Sequence, residues 1–197
     1  GVRLVGSEMC IRDRIESDLT VTRLSEDIFL VITAGANQIR DLAWLNKNIP
    51  EDAKTTVTDV TSGYTVLSLM GPESRNLMSR LTTEDLSNQA FPFGTGREIE
   101  IGYAKALALR MTYVGELGWE IYLPTEFAQD IFDKIIAAGG EHGLKLAGMH
   151  ALNSLRLEKA YRHWGHDITD EDTPLEAGLS FAVKFDKKGG FLSLIHI

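Results

Sequence analysis

The sequence predicts an α+β fold built from ferredoxin-like α/β sandwich subdomains. Two observations carry that prediction: strands and helices alternate irregularly, and hairpins interrupt the alternation, which disfavours a doubly wound sheet. About 175 residues also suffice to bury a real core. No internal repeat, low-complexity run or flexible Gly/Ser linker is present.

Asp18 to Leu24 alternates apolar and polar residues, as a half-buried strand does. Ser25-Glu26-Asp27 turns, and Ile28 to Ile32 reads as a second, more buried strand. After Gly35-Ala36-Asn37 a helix is expected, with Ile39, Leu42, Leu45 and Ile49 on its apolar face and Pro50 as its stop. Thr55–Val60 and Tyr64–Met70 read as the next two strands. Gly71-Pro72 opens a short helix, since proline in a first turn forfeits no hydrogen bond. Leu77, Met78 and Leu81 form its apolar face. The stretch from Thr82 to Gly96 is irregular.

Arg97 to Tyr103 and Ala104 to Tyr113 read as strands feeding a central hairpin, Arg110 to Tyr122. Its expected loop is the five residues Val114-Gly115-Glu116-Leu117-Gly118, with two glycines able to take positive φ. Tyr113 and Glu120 stand on the two shoulders and are expected to converge on one ligand. From spacing alone, a solvent-facing glutamate on an amphipathic hairpin describes Glu120 better. Thr125–Ala138 is an amphipathic helix stopped by Gly139-Gly140. Gly148–Tyr161 is another, with Leu152, Leu155 and Leu157 inward, and Leu179–Phe185 is a closing strand.

Both ends read as foreign to the natural protein. Leu192-Ser193-Leu194-Ile195-His196-Ile197 is compatible with CTG TCT CTT ATA CAC ATC. The reverse complement, in another frame, encodes Met9-Cys10-Ile11-Arg12-Asp13 and then Ser or Arg, here Arg14. One DNA segment read on opposite strands accounts for both ends. It resembles the mosaic end of a transposase-based sequencing adapter, and Leu4-Val5-Gly6-Ser7-Glu8 fits the adapter bases before it. Residues 1–14 and 192–197 are therefore read as adapter sequence and residues 15–191 as a partial natural domain.

Setting those ends aside lowers the basic residues from 20 to 17 and the acidic ones from 28 to 26, so the net charge moves from −8 to −9. That balance disfavours nucleic acid or an anionic membrane as main partner. Cys10, the single cysteine, goes with the ends, which fits the cytoplasm of a bacterial-type cell or another reducing compartment. No apolar run approaches the roughly 18 residues that span a bilayer.

Four stretches carry a resemblance. Tyr113-Val-Gly-Glu-Leu-Gly-Trp-Glu120-Ile121 is similar to the Y-x-G-E-x-G-[FW]-E-[IL] signature of the folate-binding aminomethyltransferase family. That family includes the glycine cleavage T-protein and the C-terminal folate domain of dimethylglycine and sarcosine dehydrogenases. Leu69-Met-Gly-Pro-Glu-Ser74 resembles its L-x-G-P-x-[AS] element. Ile15-Glu16-Ser17-Asp18-Leu19 resembles the end of its G-G-I-x-[DS]-D-L. His150 to Glu158 and Gly165 to Leu179 resemble [RH]-[AD]-x-[NR]-[ST]-L-R-[LM]-E and G-x-D-[IM]-x-x-x-x-[ST]-P-x-E-[AV]-G-L.

The resemblance implies a tetrahydrofolate-binding module of the aminomethyltransferase fold, truncated at both ends. Asp18 would face the reacting folate nitrogens, and Glu120 and Tyr113 would hold the pterin. A carboxylate suits the pterin because ring N3–H and the exocyclic amine form a donor pair. Arg156 would stand near folate, its rigid fork able to grip a carboxylate or ring carbonyl. Trp164, where T-proteins place tyrosine, would pack on the pterin. A helix-surface ion pair of Arg156 with Glu158 or Glu176 is the alternative.

Ser17 replaces the first Asp of the T-protein's Asp-Asp pair, and Ala34 stands where T-proteins carry Asn. Both departures favour the dehydrogenase branch over a T-protein. The implied parent oxidises an N-methyl amine at FAD bound before residue 15 and passes the iminium carbon to this module as 5,10-methylenetetrahydrofolate. A C-terminal barrel would follow Phe191. A non-catalytic folate-family binding or regulatory module is the alternative of a different class. No G-x-G-x-x-G follows a strand and no G-x-x-x-x-G-K-[ST] occurs, so no dinucleotide or nucleotide site is expected in this stretch. His163, His166 and the acidic residues after them invite a metal reading, but a solvated acidic loop with a packed histidine describes them better.

Overall fold

A computed structural model describes residues 14–183 and 186. Both end segments read as adapter sequence, Arg14 apart, lie outside those residues. The described chain is α+β, as expected, with six strands and four α-helices among the described residues.

It divides into two compact units. The larger contains Val21–Leu30 and Ile49–Tyr161; the smaller contains Val31–Asn48, the chain up to Thr20 and the chain from Arg162 onward.

The larger unit is organised on one antiparallel sheet of β3 (Tyr64–Met70), β4 (Gly96–Ile101), β5 (Ala104–Leu109) and β6 (Gly118–Pro124), in the order β3-β6-β5-β4. Strand alternation sorts its two faces. Trp119, Ile121 and Leu123 of β6, with Leu69, Ala106, Ala108, Ile99 and Ile101, turn into the core. The helices α2 (Ser74–Met78) and α3 (Ala128–Gly139) cover that face through Leu77, Met78, Ile131 and Ile135. Glu120 and Tyr122 alternate to the other face, where Tyr64 and Val66 of β3 are exposed.

The remaining pair, β1 (Thr20–Arg23) and β2 (Phe29–Ile32), forms a two-stranded sheet. The Leu24 N–H donates to the Ile28 carbonyl at its turn, 2.8 Å. After β2 come α1 (Gln38–Lys47) and, late in the larger unit, α4 (Met149–Glu158).

Four expectations are corrected. Thr55–Val60 is not a strand; its residues are nearly all exposed and pair with nothing regular. In α1 the buried face is wrongly phased: Ile39 is 84 % exposed whereas Asp41 is 4 % exposed. In α4, Leu155 and Leu157 are exposed and Arg156 between them is buried. In both helices a charged side chain with several hydrogen bonds displaces the apolar stripe, which periodicity alone cannot anticipate. In the described part of Leu179–Phe185, Ser180–Ala182 is a short 3-10 helix, not a strand.

Candidate functional site

The central hairpin exists, with a longer loop than the sequence suggests. β5 and β6 pair Leu109 with Glu120, so eight residues, 110–117, connect them. Tyr113 belongs to that loop, and Leu109, not Tyr113, stands opposite Glu120. The reason is local. Arg110 pairs its backbone with Gly94 and Thr95 ahead of β4, not with the strand after Glu120, and its guanidinium donates to the Phe91 carbonyl and to Asn88 Oδ1. Burial, with the nearby Arg75 charge, pulls the Arg110 pKa below its usual value.

The two motif glycines, Gly115 in the loop and Gly118 at the start of β6, have different reasons. Gly115 takes φ +70°, where a Cβ is strained. Gly118 needs closeness: a Cβ there would stand 2.8 Å from the Leu69 carbonyl oxygen. The loop is fastened to the Leu69–Ser74 element. The Leu117 carbonyl accepts from the Gly71 N–H at 2.7 Å and from the Ser74 hydroxyl at 3.0 Å. Ser74 is buried, and the motif alone assigns it no separate role; its spacing from Gly71 is the sequence signal for it.

Glu120 is half-buried on β6. Its Oε2 accepts the Tyr122 phenol at 2.6 Å. The two share a face, two residues apart on one strand. Tyr122 is 6 % exposed, and burial, followed by the Glu120 hydrogen bond and charge, pushes its pKa far up. Tyr122 lies outside the motif; a tyrosine two positions from a motif carboxylate on a strand is the sequence signal for it. A raised folded-state pKa means that the neutral phenol stabilises the fold below the unfolded value, 10.0, and that this contribution is lost as pH rises past it. The urea midpoint of the wild type is therefore expected to fall more steeply above about pH 10 than that of Tyr122→Phe. Parallel alkaline limbs would show that the phenol ionises freely.

Tyr113 and Tyr161 face each other with ring centroids 6.3 Å apart at 36°. Arg156, in the last turn of α4, holds the backbone of Tyr161. It is 5 % exposed, its Nε donates to Asn153 Oδ1 at 3.1 Å and its Nη1 to the Tyr161 carbonyl at 2.9 Å. A cleft of about 280 Å³ opens beside the loop, lined by Phe93, Arg110, Thr112, Glu116, Leu117 and Tyr161 among others. The larger unit thus gathers Tyr113, Tyr161 and Arg156, and separately Glu120 with Tyr122.

Asp18 and Trp164 lie in the smaller unit. Asp18 is exposed just before β1. Trp164 donates its Nε1–H to the Ile15 carbonyl at 3.2 Å and carries the Arg40 guanidinium 4.7 Å above its ring. Nearby, His163 and His166 rings stand 4.2 Å apart, and Asp167 Oδ2 accepts the His163 backbone N–H at 2.8 Å. Among the described residues no group of three His, Cys, Asp or Glu is placed to hold a metal ion. Among them, too, no helix is long and apolar enough to cross a membrane.

A family model described as the GCVT N-terminal domain matches residues 8–187. The chain is 46 % identical over 181 residues to 4-methylaminobutanoate oxidase (formaldehyde-forming) from Paenarthrobacter nicotinovorans, covering 92 % of this chain and 22 % of that protein. It is 37 % identical to mitochondrial dimethylglycine dehydrogenase from Mus musculus, covering 92 % and 21 %. The chain thus spans about a fifth of the length of these relatives. The crystal structure of the glycine cleavage system aminomethyltransferase T from Bartonella henselae superposes with a TM-score of 0.74 at 30 % identity, over 88 % of this chain and 45 % of that one.

Proposed function

The chain belongs to the GCVT N-terminal domain family, and on that premise we propose that it is the tetrahydrofolate-binding, one-carbon-transfer module of an N-methyl amine dehydrogenase or oxidase. The parent would oxidise an N-methyl amino acid at a flavin held elsewhere in the same polypeptide. The module would capture the resulting iminium carbon as 5,10-methylenetetrahydrofolate. The names of the two relatives, an N-methylamino acid oxidase and dimethylglycine dehydrogenase, support that substrate class.

One observation carries the reading: the signature carboxylate Glu120 is half-buried on the sheet face away from the core, with a phenol fixing one oxygen. Two carboxylate oxygens offer about four acceptor sites. A carboxylate oriented by Tyr122 therefore retains acceptor capacity for the paired N–H donors of a pterin, and the donor chemistry fits. Tetrahydrofolate supplies, when bound, the nucleophilic nitrogens that take up a one-carbon unit. Tyr113 and Tyr161 offer aromatic surface for a flat ring, and Arg156 holds the backbone that presents Tyr161. Asp18 is exposed and so available to accept a proton from the reacting nitrogen and to stabilise the iminium cation. A site screened from water protects that cation from hydrolysis to formaldehyde. Trp164, engaged by Arg40 and Ile15, acts by shaping the segment before Asp18.

The test is product partition in the full-length natural polypeptide. Tetrahydrofolate is expected to replace formaldehyde by 5,10-methylenetetrahydrofolate as the product of amine oxidation. Asp18→Asn is expected to restore formaldehyde on the order of tenfold or more without slowing amine oxidation. Formaldehyde yield indifferent to tetrahydrofolate would overturn the transfer reading. Tetrahydrofolate binding with no change in product would instead identify a non-catalytic binding module. Ser17 and Ala34 stand against a T-protein proper.

A further inference from the structure

Ile15, Glu16 and Ser17, the three residues before Asp18, are each tied into the smaller unit by hydrogen bonds. The Ile15 N–H donates to the Asp172 carbonyl at 3.0 Å, and the Ile15 carbonyl accepts the Trp164 indole N–H at 3.2 Å. Arg40 reaches Glu16 twice: Nη1 to its carbonyl at 2.8 Å and Nη2 to its Oε1 at 2.8 Å. Ser17 donates its hydroxyl to Asp41 Oδ2 at 3.0 Å.

Asp41 is the centre of this arrangement. It is 4 % exposed in a helix whose neighbouring Ile39 faces solvent. Its Oδ2 also accepts the Thr33 hydroxyl, and its Oδ1 faces Arg40 Nη1 at 3.2 Å. A buried carboxylate is costly unless paired and hydrogen-bonded, and here it is both. The guanidinium is in turn seated over Trp164 at 4.7 Å. Asp18, the next residue along, is exposed. A chain fixed at three consecutive residues leaves the fourth little freedom of direction, while its carboxylate stays open to a ligand.

We propose that Asp41, with Arg40, is the positioning residue for Asp18, and that the Ser17 hydroxyl is the link between them. This rests on the reading that Asp18 acts in one-carbon transfer. Position 17 is thereby chemically specified. A serine donates to Asp41, whereas an aspartate there would set two carboxylates at hydrogen-bond distance, and like charges at that range cannot both ionise without penalty. The network thus accounts physically for serine rather than aspartate in this chain.

The test uses the full-length natural polypeptide with Ser17→Ala, Asp41→Asn, Asp18→Asn and the Asp41→Asn/Asp18→Asn double variant. Two quantities are read: amide hydrogen exchange across residues 15–19, and one-carbon transfer with its pH profile alongside tetrahydrofolate affinity. Asp41→Asn is expected to speed exchange in residues 15–19 and to lower transfer on the order of tenfold. Tetrahydrofolate affinity should stay within about twofold. In the double variant the loss should be no greater than in Asp18→Asn alone, because both act through one carboxylate. Ser17→Ala leaves Asp41 paired with Thr33 and Arg40, and should give a smaller effect of the same kind should Asp41→Asn fold poorly.

Unchanged exchange in residues 15–19, or losses that multiply in the double variant, would overturn the proposal. Faster exchange together with an Asp18→Asn variant of normal transfer would uphold the anchoring and remove instead the catalytic assignment of Asp18.

Discussion

Glu120→Ala is expected to weaken tetrahydrofolate binding by roughly 1.5–3 kcal/mol, about ten- to over a hundredfold in Kd by isothermal titration calorimetry. The magnitude follows from removing an ionised acceptor that faces two donors, since hydrogen bonds to charged groups are worth about twice neutral ones. The alanine variant has a second consequence. Tyr122 is buried and donates its phenol to Glu120 Oε2 at 2.6 Å. Without the carboxylate that donor is left unsatisfied, at about 1–3 kcal/mol of stability. Glu120→Gln separates the two effects. Its amide carbonyl still accepts the phenol, so stability is largely kept, while its NH₂ opposes the donor pair of the pterin. Loss of affinity in both variants assigns Glu120 to the ligand. Normal affinity in Gln and Ala alike returns Glu120 to a sheet-face carboxylate whose partner is Tyr122.

Where local chemistry and tertiary packing agree, the chain could be read from its letters. β3 alternates between its two faces, and α3 carries Ile131 and Ile135 at helical spacing into the core. Gly71-Pro72 ahead of α2 is turn chemistry with one meaning, and Gly71 takes φ 132°. The failures have one cause in common. At Asp41, Arg156 and Arg110 a charged side chain is buried because several hydrogen bonds meet it, and periodicity assumes that buried means apolar. Periodicity misplaces the phase of α1 and of α4 for that reason, and the loop of the central hairpin is eight residues long because β5 and β6 stop pairing at Leu109 and Glu120, while the Arg110 backbone stays bonded to Gly94 and Thr95. Thr55–Val60 has the composition of a strand and no neighbour to pair with, so β propensity had nothing to act on.

The candidate site divides in the same way. Asp18, Tyr113, Glu120, Arg156 and Trp164 came from motif resemblance, which names positions without naming supports. What the motifs omit is the set of residues that fix them: Tyr122 beside Glu120, the Tyr161 carbonyl at Arg156, Arg40 over Trp164. These partners are distant or unmarked in sequence, and only the folded backbone brings them to hydrogen-bonding range. The Ser74 hydroxyl, 43 residues from the Leu117 carbonyl it reaches, shows how two separately recognisable motifs serve one loop.

The largest effect on stability is expected at Trp119, the residue before Glu120. Trp119→Ala should destabilise the larger unit by about 3–5 kcal/mol in urea unfolding, the range for deleting a buried aromatic. Its side chain is 0 % exposed and meets Phe91 edge-on at 6.1 Å and 61°. Its neighbours Ile121 and Leu123 on the strand, and the helices α2 and α3 over that face, are too constrained to fill the space collapsed. Trp119→Phe should cost far less. Among the described residues the indole Nε1 is buried with no hydrogen-bond partner. Removing that donor relieves about 1–3 kcal/mol of desolvation cost, which offsets part of the lost packing. Strand alternation then gives the decisive comparison. Trp119 points into the core and Glu120 to the opposite face, so Trp119→Phe should leave tetrahydrofolate affinity near that of the wild type while Glu120→Gln lowers it at near-normal stability. A Trp119→Phe variant that is stable yet loses affinity as Glu120→Gln does would show that the ligand is read from the core face, and the assignment of Glu120 would fall.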